Sequence, residues 1–216
     1  MSEILYQDAQ IIVCVKPAGI LSQGDTPDAM PSVLCHELGC DTVYPVHRLD
    51  QAVGGVMVYA KTPKAAAALS SSMQKGDFHK EYRAVLQGVP QENAATLEDL
   101  LFFDRSKNKS FVVKRKRAGV KEASLSYEVL QRAQSLTLVR VHLHTGRTHQ
   151  IRVQFASRKL PLLGDGKYGS ADNRCAVALW SARLSFPHPV SGKTLDVSAS
   201  PPEQFPWTVF DGDSDV

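Results

Sequence analysis

Apolar positions along this chain recur mostly at every second residue or in short unbroken runs, the patterns of half-buried and fully buried strands. Residues 4–6 and 11–16 form two such runs around Asp8-Ala9, and Pro17 with Gly19 stops the second. Residues 22–31 are polar and turn-rich, a loop. Residues 32–38 predict a short helix leading to 43–46. Val56-Met57-Val58-Tyr59-Ala60 is an apolar run that predicts a buried strand. Thr62-Pro63 then opens a helix, since proline fits a first turn, and residues 65–73 are rich in strong helix formers. Residues 80–87 return to strand, with Tyr82 and Ala84 on one face and Arg83 and Val85 on the other.

No single period runs through residues 90–117. Leu97, Leu100, Leu101, Phe102 and Phe103 supply apolar mass there, and Phe111-Val112-Val113 forms a short strand pattern. Residues 123–131 and 135–144 alternate well enough to pair as antiparallel strands. Residues 148–157 predict a helix with Ile151 and Phe155 facing the core at i, i+4. A glycine-rich loop follows at 161–169, then a hairpin of 177–186 with 193–198. There is no internal repeat and no domain linker. The expected fold is therefore α+β, a mixed, largely antiparallel sheet with flanking helices and loops. It is read as one domain over 1–216, with a core at about 4–200 and an acidic tail at about 203–216 that carries Asp211, Asp213 and Asp215.

At 216 residues and 43% hydrophobic, the chain can bury one substantial core or two closely joined halves. The charged fraction of 22% excludes a disordered composition. A net charge of +3 says less than its distribution. From Arg105 to Lys121 the cations Arg105, Lys107, Lys109, Lys114, Arg115, Lys116, Arg117 and Lys121 occur without one acid. A solvated loop and a polyanion contact both account for such a run. Cys14, Cys35, Cys40 and Cys175 have no CxxC spacing and read as free thiols of a reducing compartment. The N-terminus has neither a basic nor a long apolar segment of a signal peptide. No run approaches the ~20 apolar residues of a membrane span. A cytoplasmic monomer without a membrane partner is expected.

One acid stands out against these cations. In an extended His47-Arg48-Leu49-Asp50 segment, Arg48 and Asp50 share a face. Gly54-Gly55 just beyond lets a backbone or ligand approach closely. A carboxylate that must stay ionised in a pocket requires a nearby cation. Arg152 is the candidate, on a helix where Thr148 and His149 would share its face. A first turn at Gly146-Arg147-Thr148-His149 would offer backbone N–H groups to phosphate. The alternative for both segments is a surface ion pair and a solvated basic face. Tyr82 beside Lys80 and Arg83 is either sheet packing or a platform for an unpaired base. His142, His144 and His149 with Asp165 leave open a metal site and a hydrolase. Neither G-x-x-x-x-G-K-[ST] nor G-x-G-x-x-G occurs, so no nucleotide or dinucleotide cofactor is indicated.

The segments His47-Arg48-Leu49-Asp50, Lys80-Glu81-Tyr82 and Gly146-Arg147-Thr148-His149-Gln150-Ile151-Arg152, in this order, resemble the RluA-type pseudouridine synthases. So do Lys16-Pro17-Ala18-Gly19, Gly164-Asp165-x-x-Tyr168-Gly169 and Leu184-x-Phe186-x-His188-Pro189, and together the match covers about residues 4–200. The resemblance implies a sheet around a central RNA cleft and isomerisation of uridine in ribosomal or transfer RNA. Asp50 would then attack or deprotonate the ribose, Tyr82 would stack on the flipped base, and Arg152 would pair with Asp50. Arg48 would help hold the RNA, and His47, Arg147, His149 and the Lys114-Arg115-Lys116-Arg117 cluster would contact it. An isomerisation needs no metal, nucleotide or redox cofactor.

The chain departs from the family pattern twice. It has Val53-Gly54-Gly55 where T-S-G is common, and Gln154 where a histidine is common; both are expected to alter how the pocket edge meets RNA. Many relatives also carry an S4-type RNA-binding domain, so this catalytic domain is expected to supply its own grip. A catalytically inactive RNA-binding relative is the remaining alternative. The joint presence of Asp50, Tyr82 and Arg152 argues against it.

Overall fold

The computed structural model describes residues 2–210, so the acidic residues Asp211, Asp213 and Asp215 lie outside the described part. Strands β1 (Ile4–Gln7) and β2 (Ile11–Lys16) pair antiparallel, and the Asp8 carboxylate accepts from the Gln10 and Ile11 N–H groups to close the turn. Helix α1 (Met30–Leu38) begins two residues before the predicted start, because Pro31 sits in its first turn, where no N–H is needed. After β3 (Tyr44–Pro45) comes β4 (Gly54–Ala60), buried throughout, as is β2. Helix α2 (Pro63–Lys75) is capped by Thr62, whose Oγ1 accepts from Ala65 N at 3.1 Å. Then follow β5 (His79–Gln87), β6 (Ala94–Asp104), β7 (Lys109–Val113), β8 (Val120–Ala133), β9 (Leu136–Leu143) and α3 (Gln150–Ala156). A 3-10 turn at Gly166–Tyr168 precedes β10 (Leu179–Pro187) and β11 (Thr194–Ser198).

These elements divide into two compact units. The first comprises the chain up to Glu81 together with Trp180–Pro201. Its strands run in the order β1-β2-β4-β10, with β3 beside β4 and β11 beside β10. Pairing is antiparallel except between β4 and β10. At that parallel junction Trp180 lies opposite Gly54, and Ser181 opposite Gly55. A Cβ on Gly54 would come within 2.6 Å of the Trp180 ring. Gly55 has φ +118° and its Cβ would sit 2.3 Å from the Ser181 carbonyl oxygen. Only two glycines allow so close an approach. The core gathers Ile11, Val13, Val56, Val58, Leu69 and Phe186.

The second unit spans Tyr82–Leu179 and resumes at Pro202. Its meander orders β9-β8-β6-β7, antiparallel throughout, with β5 beside β9. The stretch that showed no clear period is thus an eleven-residue strand, β6, and the following β7. Its apolar mass packs as Leu101, Ala123, Val153 and Tyr168, while Val85, Leu138, Leu163, Ala178 and Phe210 form a second cluster. The α+β class and the largely antiparallel pairing agree with the sequence pattern. All four cysteines are free thiols, Cys14 buried. No helix among the described residues is long and apolar enough to cross a membrane.

Candidate active site

In the first unit, burial alternates along residues 47–50: His47 and Leu49 face inward, Arg48 is exposed and Asp50 half-buried. Arg48 and Asp50 are thus the more exposed pair of the four. The segment is irregular, and its rigidity comes from hydrogen bonds to the loop after β2. Ser22 Oγ donates to Leu49 O (2.9 Å), Gly19 N to Gln51 O (2.7 Å), and Gln51 Nε2 returns to Gly19 O (3.0 Å). Val53 N donates to Asp50 O at 2.9 Å.

Lys16 is the anchor of this arrangement, a residue the sequence showed as part of a motif but not as part of the site. Its side chain is fully buried, and Nζ donates to Pro17 O, Ile20 O and Gln51 O at 2.8, 2.7 and 3.3 Å. Burial pulls the Lys16 ammonium down to about 8, and the charge of Asp50 acts in the opposite direction.

His47, expected at the RNA, has a different position. It is 7% exposed, its Nε2 accepts from Val58 N at 3.2 Å, and its ring packs on Phe78 at 5.6 Å. Burial holds its imidazole down at about 3, so it is neutral and braces β4.

The second unit begins at Tyr82, which is 5% exposed. Arg152 lies on α3. Its Nε and Nη2 donate to Asp165 Oδ2 and Oδ1 at 2.6 and 2.8 Å, a buried bidentate pair. The Tyr168 ring lies 5.2 Å from the guanidinium carbon. Tyr168 OH accepts from Ser110 N at 2.8 Å and meets His149 Nδ1 at 3.0 Å. Burial raises the Tyr168 pKa, so it stays a phenol.

The expected helical face of Thr148, His149 and Arg152 is not formed. His149 is left-handed (φ 54°) and the helix starts only at Gln150. The first-turn phosphate site expected at residues 146–149 is lost for the same reason. Gln150 occupies that turn instead: its Oε1 accepts from Arg147 N (3.0 Å) and Thr145 Oγ1 (2.7 Å), and its Nε2 donates to Ser124 O. His149, expected at the RNA, is 9% exposed and turned to Tyr168.

The basic run starts at the β6–β7 turn, includes β7, and continues through the loop into β8. Lys114, Arg115, Lys116 and Arg117 are all exposed. Lys116 pairs with Glu122 at 2.5 Å, the Arg117 guanidinium carbon lies 4.8 Å from the Phe102 ring centre, and Arg147 Nε donates to Glu122 O.

Both departures from the family pattern are buried. Gln154 is fully buried and donates to Leu97 O (3.1 Å) and Asp99 Oδ2 (2.8 Å), which pins β6. Gly54 and Gly55 serve the β4–β10 junction. The metal alternative loses its ligand set, since Asp165 is committed to Arg152, His149 to Tyr168, and His144 Nε2 to Ser126 Oγ. Among the described residues no three His, Cys, Asp or Glu side chains group as a cation site.

With this geometry in hand, the comparisons are consistent. Residues 10–157 match the family model described as RNA pseudouridylate synthase. A protein of Aquifex aeolicus named as an uncharacterized RNA pseudouridine synthase is 32% identical over 94% of this chain and 70% of its own length. The ribosomal large subunit pseudouridine synthase D of Xanthomonas campestris is 32% identical over 93% of this chain and 66% of its own. That of Neisseria meningitidis serogroup A is 33% identical over 93% and 58%. This chain thus spans between 58% and 70% of the length of these relatives. Among solved structures, human RNA pseudouridylate synthase domain containing 4 superposes with a TM-score of 0.78 at 24% identity, covering 93% of this chain and 89% of that one. Human RNA pseudouridylate synthase domain containing 1 gives 0.79 at 20%, covering 94% and 84%. Both show the same fold. The chain belongs to the RNA pseudouridylate synthase family, isomerases that convert uridine to pseudouridine in RNA.

Proposed function

We propose that this protein isomerises uridine in large-subunit ribosomal RNA, with Asp50 as the catalytic aspartate, acting as a monomer in the cytoplasm. The RNA class follows the relatives named as ribosomal large subunit pseudouridine synthase D. The observation that carries the assignment of Asp50 is its segment: a half-buried carboxylate of the family motif, beside an exposed arginine, on a loop held by Lys16, Ser22 and Gly19. Asp50 attacks or deprotonates the ribose and the glycosidic C–N bond breaks. The uracil turns and its carbon 5 bonds to the ribose C1′, which frees the Asp50 carboxylate or returns the proton to the ribose; carbon 5 then gives up its proton and N1 takes one up. The atoms balance without a cofactor.

Tyr82 stacks on the extruded base, and Arg152 contributes a cation to the reaction. Arg48, Arg147 and the Lys114-Arg115-Lys116-Arg117 cluster hold phosphates. Extrusion costs a few kcal/mol, offset by stacking and phosphate contacts. The test is Asp50→Asn on an unmodified transcript of large-subunit ribosomal RNA, with pseudouridine read by carbodiimide-directed primer extension. Turnover should vanish while RNA affinity stays near wild type. Residual turnover within ~tenfold would overturn the role of Asp50, because removing a covalent or base catalyst costs far more.

A further inference from the structure

Arg152 is held by two residues outside its own helix, and each restrains a different motion. The Asp165 carboxylate grips the Nε–Nη2 edge with two short bonds, and Asp165 itself is 1% exposed. That bidentate contact fixes the rotation of the guanidinium. The Tyr168 ring, 5.2 Å from the guanidinium carbon, fixes the tilt of its plane. Tyr168 is in turn set from β7, through the bond from Ser110 N, while Ser110 Oγ donates to Thr148 O. Edge and face together leave the side chain one orientation.

Stability does not explain why such a pair is buried. A buried ion pair is often no more stabilising than apolar residues of similar size, because desolvation of both charges opposes their attraction. We propose that Asp165 and Tyr168 are positioning residues for the reaction, which fix the orientation of the Arg152 guanidinium and act only through it. This rests on the reading of Arg152 as part of the catalytic site. His149, on the phenol oxygen of Tyr168, and Lys109, 5.0 Å from its ring centre, are the other titratable groups at this seat.

The experiment is a double-mutant cycle in the full chain, with kcat and KM measured on the unmodified large-subunit transcript. Asp165→Asn keeps the shape but weakens the edge grip. It should lower kcat roughly 10–100-fold, the scale of a misplacement of about 1 Å, with KM within about threefold. In an Arg152→Lys background, where no fork remains to be aimed, the same change should cost less than about threefold. Tyr168→Leu should follow the same pattern, lowering kcat with Arg152 present and costing little in the Arg152→Lys background, and decides the matter if Asp165→Asn fails to fold by near-UV circular dichroism.

Equal losses in the two backgrounds would overturn the proposal, as would a rise in KM at unchanged kcat. Full turnover in Arg152→Lys with Asp165→Asn still damaging would overturn it too. Failure of the underlying catalytic reading has a separate signature, namely Asp50→Asn retaining turnover, since the cycle reads only the coupling of 152 with 165 and 168.

Discussion

The Lys16 ammonium bonds the carbonyl of Gln51, thirty-five positions along the chain and next to Asp50. Two further carbonyls, of Pro17 and Ile20, share the same ammonium. A cation donating to three carbonyls holds two loops in one geometry with a single side chain. Lys16→Met should remove this donor from the Pro17 and Ile20 carbonyls, while Gln51 O still accepts from Gly19 N, and destabilise the protein by roughly 1–3 kcal/mol. It should also lower turnover by at least ~tenfold, because the Asp50 segment is no longer tethered. Urea unfolding and turnover on the same preparation measure both effects. An unchanged midpoint with full turnover would show that the tether is dispensable.

Gly54 under Trp180 sets a second expectation. Serine is common here in the family, but in this chain a Cβ would meet the indole at 2.6 Å. Gly54→Ser should therefore destabilise by about 1–3 kcal/mol through overpacking. Adding Trp180→Leu should recover part of that loss. Comparison of the single and double variants by thermal unfolding tests whether the two positions trade volume.

The neutral His47 makes stability depend on acid. Burial places its folded value at about 3, against 6.5 for an ordinary histidine. Between these values the unfolded chain binds a proton that the folded chain does not, so stability falls as pH drops from about 6.5 towards 3. His47→Gln can still accept from Val58 N and carries no such proton. Its stability should change less than wild type between pH 7 and about pH 4.5, as read from urea midpoints.

The exposed cluster of Lys114, Arg115, Lys116 and Arg117 should contribute phosphate contacts. Each contact on a single strand adds a log–log salt slope of ~0.7. Replacing all four with glutamine should weaken RNA binding and flatten that slope, with turnover at saturating RNA little changed. Wild-type binding by the quadruple variant across a salt titration would return this loop to a solvated surface.

The long apolar runs of β2 and β4 were legible because every residue in them is buried, so no neighbour was needed to recognise them. Strand β6 was not, because Leu100, Leu101, Phe102 and Phe103 are adjacent and only Leu101 is fully buried. Its identity comes from pairing with β7 and β8 on either side. The alternation at 47–50 came through correctly, while His47 was misplaced at the RNA, since motif membership does not distinguish a bracing residue from a contacting one. The start of α3 was missed because His149 adopts a left-handed conformation that local propensity disfavours. The partner of Arg152 lies thirteen positions away in a loop, where no periodicity applies.

The division of the chain also sets an order of events during synthesis. Ser181 Oγ donates to Val56 O across 125 positions, and β10 closes against β4 only through residues from that distant stretch. Nearly all of the second unit, Tyr82–Leu179, leaves the ribosome as one continuous segment and can form its meander early. The first unit, which carries Asp50, must hold the exposed edge of β4 open until Trp180–Pro201 has been made. The sheet translated first therefore closes only after the meander of the second unit has been made, and a chain that stops before residue 180 carries the His47–Asp50 segment on an unfinished sheet.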